Sequence, residues 1–158
     1  MNLKKVFRGC LVLLLVWVVS ACGSDGVSGG SGKVTELTLD EAKKFQPNKE
    51  TGFVYVRDSL ESEEEDDKNQ FKEIKRVVEA EEMDFYVANG KDFPQLTAEE
   101  WEEGKEPVKI LDQKNGTLAY YEDGEMMEEM DFMYTDEEEL YSKIEKFVQK
   151  VKSDYIDN

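Results

Sequence analysis

FVYVRDSLESEEEDDKNQFKEIKRVVEAEEMDFYVA, residues 53–88, holds two short apolar runs on either side of one amphipathic stretch. Phe53-Val54-Tyr55-Val56 is compact, β-branched and aromatic, the composition of a buried strand. The acid-rich run Ser59 to Asp67 follows. Phe71, Ile74, Val77 and Val78 then recur at helical spacing and predict a helix from about Glu65 to Glu82. Acids in its first turns suit the positive end of the helix dipole. Asp84-Phe85-Tyr86-Val87-Ala88 reads as a second strand, broken by Asn89-Gly90. Strand, helix and strand in this order imply a parallel pair with a right-handed crossover. The fold class is α/β.

Working outward, Val34 to Leu39 alternates and reads as a short strand. Thr38 with Glu41 offers a capping box for a short helix through Phe45, and Thr97 with Glu100 offers another for a helix carrying Trp101. Pro107 leads into Val108-Lys109-Ile110-Leu111, read as a strand. Asn115-Gly116 is a turn signal, and Thr117 to Tyr121 reads as the partner strand of a hairpin. Leu140, Ile144, Phe147, Val148 and Val151 mark a final amphipathic helix behind a capping box at Thr135 and Glu138. No internal repeat is evident.

This order resembles the thioredoxin fold, a central mixed sheet of four to five strands flanked by helices. The resemblance covers Val34 to Lys152, within one domain expected over residues 34–158. It rests on the Phe53–Val56 strand feeding a long helix, on Pro107 before the hairpin, and on the final helix. Pro107 resembles the family's cis-proline, beside which lies a groove that can hold a peptide. The family's Cys-x-x-Cys, where a helix dipole activates a thiol, would fall within Ser59 to Asp67. That window has no sulfur, and its carboxylates would raise the pKa of any thiol placed there. The redox activity of the family is not expected here.

The first 33 residues imply export. Lys4, Lys5 and Arg8 precede an apolar run from Cys10 to Val19, which is too short for a permanent span of roughly 20 residues. Val19-Ser20-Ala21-Cys22 resembles the bacterial lipobox. The resemblance implies a signal peptide over residues 1–21 and a diacylglyceryl group on Cys22, with cleavage just before it. Two acyl chains hold a protein stably at a membrane. Residues 22–33 are then a lipidated cysteine and a Gly/Ser tether, about 18 Å long on average and about 36 Å when taut. The expected place is the extracytoplasmic face of the cell membrane. The tether and the few arginines point to a Gram-positive host.

Composition narrows the chemistry further. The chain has 20 basic and 37 acidic residues, a net charge of −17, and three of the basic residues lie in the signal segment. Such a balance repels nucleic acid and anionic lipid and draws basic partners. Histidine is absent and both cysteines, Cys10 and Cys22, belong to the export segment. The commonest general base, nucleophile partner and metal ligand are therefore missing. No cofactor is expected. Hydrolysis by carboxylates alone would need a raised-pKa acid beside an ionised one, and no pair can be nominated from 37.

Three constellations remain. The acidic run is a solvated helix start, a dock for a basic partner or a weak Ca²⁺ site, although it lacks the EF-hand spacing. Met126, Met127, Met130 and Met133 are packing, an interaction surface or soft ligands for Cu(I). Tyr55, Phe85, Tyr86, Tyr120, Tyr121 and Phe132 are core residues or, where outward, a carbohydrate or peptide platform. The leading expectation is a non-enzymatic protein-binding module in the cell envelope. The alternative is an envelope metal-binding protein.

Overall fold

The computed structural model describes residues 32–106 and 108–157. The apolar run of the central motif becomes β2 (Gly52–Arg57), in which Phe53, Val54, Tyr55 and Val56 are all fully buried. A strand apolar on both faces needs a layer on each side, and it has one. Phe53 and Tyr55 face α2 (Glu64–Glu81) and the final helix, α4 (Glu137–Val151), whereas Val54 and Val56 face α1 (Leu39–Phe45).

The remaining strands are β1 (Val34–Leu37), β3 (Phe85–Asn89), β4 (Thr117–Glu122) and β5 (Glu125–Asp131), in the sheet order β1-β3-β2-β4-β5. β3 lies parallel to both β1 and β2, while β4 is antiparallel to β2 and to β5. The protein is thus a five-stranded mixed sheet flanked by helices. The main core lies under α2 and α4, where Phe53 stacks on Phe85 with ring centroids 4.7 Å apart. Burying each such side chain stabilises the fold by about 1.5–3 kcal/mol.

The capping boxes at Thr38 and Thr97 form as the sequence predicts, on α1 and on α3 (Ala98–Glu102). Thr38 Oγ1 accepts from the Glu41 N–H and the Glu41 carboxylate accepts from the Thr38 N–H. The Thr38 hydroxyl, which donates to the same carboxylate at 2.7 Å, and then the Thr38 N–H hold the Glu41 carboxyl below its usual range. The sign follows: the cap is complete above the ordinary carboxylate range and weakens as pH falls through the lowered value. The third box does not form. Asp136, not Thr135, is the N-cap of α4, and Thr135 Oγ1 instead accepts from Lys143 Nζ at 2.7 Å.

The hairpin expectation needs correction. Residues 108–111 form no strand: Val108 is 63% exposed, while Ile110 and Leu111 pack onto the α1 side of the sheet. The seven-residue α1 cannot cover Val54, Val56, Ala119 and Tyr121 alone, so this irregular segment completes the layer. The true hairpin joins β4 to β5 through Asp123 (φ 50°) and Gly124 (φ 80°), the positive φ pair of a type I′ turn. Between Tyr120 and Tyr121 the register slips by one residue and Met127 becomes the extra residue of a bulge.

Lys33 enters the fold at the start of β1, where its N–H donates to Asp84 and its carbonyl accepts from the Phe85 N–H. Among the described residues no helix is long and apolar enough to cross a membrane. Cys10, the lipobox and Cys22 lie outside the described residues, as does Pro107.

Candidate functional site

Alternation along β2 places Tyr55 and Arg57 on the same face, at the strand's C-terminal end and under the first turn of α2. Asp67 descends from that turn to meet them. One carboxylate oxygen accepts from Arg57 Nε at 2.8 Å and Nη2 at 2.6 Å. The other accepts from the Tyr55 hydroxyl at 2.9 Å and the Asp58 N–H at 3.1 Å. Asp67 is only 4% exposed, so four donors replace the water it has lost. Burial first, and the Asp67 charge second, push the Tyr55 phenol far above its usual range and keep it a neutral donor. Hydrogen bonding to Asp67 raises the Arg57 guanidinium as well.

This junction fixes the loop leaving β2, and the loop borders an open cleft of about 770 Å³. One wall is Asp58, Leu60, Glu63 and the start of α2 up to Gln70. The opposite wall is the 131–137 segment between β5 and α4. Lys114 to Thr117 closes one side, and the floor includes buried Phe132 and Leu140. The side wall is pinned from both directions. The Gly116 N–H donates to the Val56 carbonyl at 2.7 Å, and Asn115 Nδ2 donates to Ser59 Oγ at 3.1 Å. A Cβ on Gly116, whose φ is +73°, would sit 2.9 Å from Asp58 Oδ2. Asn69 donates to Glu137 and ties the two helix starts together.

The rim is apolar and exposed. Leu60 is 59% exposed, Met133 65% and Tyr134 97%. Tyr134 has φ 57° in a turn closed by the Thr135 N–H on the Phe132 carbonyl. For a bulky side chain that conformation costs about 1–2 kcal/mol, and backbone strain of this kind gathers at functional sites.

The acidic run of the sequence therefore becomes one wall of a cleft. Among the described residues, no three acidic side chains converge to hold a metal ion. The methionines are dispersed. Met126 packs on the α1 side of the sheet, Met130 lies in the core under α2 and α4, and Met127 and Met133 are exposed. The bulge at Met127 separates the first two, since it turns the strand over between them. The six aromatic residues named above are all buried or half-buried in the two cores. They form no outward platform. The residues directly before β4 are Asn115 and Gly116, and neither is proline.

Leu60 and Asp67 fall within the acidic run and Met133 within the methionine set, but nothing in the sequence brings these three, Arg57 and Tyr134 to one place. Arg57 offered the one available signal, because a cation closing a buried strand needs a counter-charge nearby. The chain matches no protein-family model and no curated protein sequence.

Proposed function

We propose that this protein is a membrane-anchored extracytoplasmic lipoprotein whose redox-inactive, thioredoxin-like domain acts as a non-enzymatic protein-binding module. The strand order β1-β3-β2-β4-β5, with helices on both faces, supports the thioredoxin-like reading. The cleft carries the binding role. It opens where β2 gives way to α2, the junction at which the family places its cysteine pair, and its lining holds no cysteine. What remains is a recessed surface with an apolar rim, a geometry suited to gripping a partner. The lipobox supports the anchor.

Two experiments test this reading. Cys22→Ala releases most of the protein from the membrane fraction of its host, and persistence of the variant in that fraction would defeat the anchor. A photo-cross-linker at Tyr134, in the full chain and in the host, yields one discrete envelope-protein adduct. A cross-linker at exposed Glu99 on α3 yields none of it. Equal adducts from both positions, or no adduct from Tyr134, would defeat the binding role.

A further inference from the structure

The charges around the cleft are lopsided. Asp58, Glu63, Asp66, Asp131, Asp136 and Glu137 line it, and Lys114 is the single cation among the lining residues. Asp67 is neutralised by Arg57. Among the described residues, no lysine or arginine lies within ion-pair distance of the other six. Some acids outside the cleft are paired. Glu64, Glu73, Glu81, Glu100 and Glu128 each meet a lysine or arginine on this chain. Like charges held at a concave surface focus a negative potential that the fold leaves uncompensated. The same walls expose Leu60, Met133 and Tyr134, contacts that a small cation or a polyamine would not use.

We infer that the cleft takes an extended basic segment of another protein, in which lysine or arginine alternates with apolar residues. Its cations meet the uncompensated carboxylates, while its apolar side chains lie on Leu60, Met133 and Tyr134 and reach toward Phe132 and Leu140. Asn69, Gln70, Asn115 and Thr135 line the same space and offer hydrogen bonds to the segment's backbone. The inference rests on the proposed binding role and supplies the chemistry of the partner.

The test is fluorescence anisotropy with the full chain in detergent and a labelled peptide alternating lysine with leucine and phenylalanine. Binding is expected at a dissociation constant on the order of 10 μM in low salt. A lysine–serine peptide of equal charge binds about tenfold more weakly, having lost the apolar contacts. Asp66→Asn with Asp136→Asn also weakens binding about tenfold. Asparagine serves as an N-cap as well as aspartate does, so α4 keeps its start. Glu99→Gln with Glu102→Gln removes the same charge from α3, away from the cleft, and changes binding by less than about twofold. Equal weakening by the two pairs would reduce the effect to bulk charge and overturn the inference. So would equal binding of the lysine–serine peptide, or no binding below about 1 mM. Should Tyr134 still cross-link a discrete partner in cells, the binding role survives and only the basic segment is wrong. If that adduct is also missing, both readings fall.

Discussion

Asp67→Ala is expected to lower the unfolding free energy by about 3 kcal/mol, the low end for breaking a buried pair. Deleting the carboxylate strands two donors together, the Arg57 guanidinium and the Asp58 N–H. The fully buried Tyr55 hydroxyl retains Gln70 Oε1, at 2.9 Å, as its acceptor. Arg57 retains a third of its side-chain surface, so solvent recovers part of the loss, hence the low end of the range. Asp67→Asn keeps an acceptor without the charge and falls between wild type and alanine. The double variant Arg57→Met with Asp67→Leu removes both charges at once. It recovers much of the loss, since a vanished ion pair leaves no unpaired charge. Urea unfolding followed by circular dichroism measures all three. A loss below about 1 kcal/mol for Asp67→Ala would mean that water already solvates the junction.

The second large effect belongs to the β4–β5 turn. Gly124→Ala is expected to cost about 2–4 kcal/mol, by adding a strained backbone conformation to a backbone collision. At φ +80° a Cβ would stand 2.3 Å from the Gln46 carbonyl oxygen and 3.1 Å from Lys49 Cα. Neither neighbour can swing aside as a side chain would. The turn is also bound in place: the Gly124 N–H donates to the Glu50 carbonyl, and Gln46 Nε2 donates to the Gly124 carbonyl. Gly104 is the built-in comparison. It has φ +72° with nothing within 4 Å, so Gly104→Ala carries the conformational cost alone, about 1–2 kcal/mol. Thermal or urea unfolding of the two variants side by side separates collision from conformation. Equal losses would show that the loop beyond α1 yields easily.

The contrast between these two sites mirrors what was legible in the sequence. Phe53 to Ala88 and the last helix were readable because each keeps one period over enough residues to betray its buried face. The α1 and α3 caps were readable because a capping box is a contact three residues apart. The start of α4 was ambiguous by construction. Thr135 with Glu138 and Asp136 with Glu139 satisfy the same spacing one residue apart, and the Lys143 contact to Thr135 goes with the later start. β5 was hidden because its methionines and glutamates come in doublets (Met126-Met127, Glu128-Glu129) and do not alternate, the bulge at Met127 taking up the break in period. The hairpin was misplaced for a related reason. Asn115-Gly116 and Asp123-Gly124 carry equivalent turn chemistry, and both glycine N–H groups donate to distant carbonyls, of Val56 and Glu50. Only the second pair has positive φ at both residues and a strand on each side. The site was less legible still. Arg57 and Asp67 lie ten positions apart, and the two cleft walls come from the β2–α2 and β5–α4 connections.

Residue 32 rests against the last turn of α2, with Val78 and Glu79 as its neighbours, whereas the cleft opens around that helix's first turn. A helix of 18 residues puts about 27 Å between the two ends. Residue 32 and the cleft therefore lie toward opposite ends of one helix. Under the anchor proposed at Cys22, the cleft is carried at the end of this helix remote from the tether.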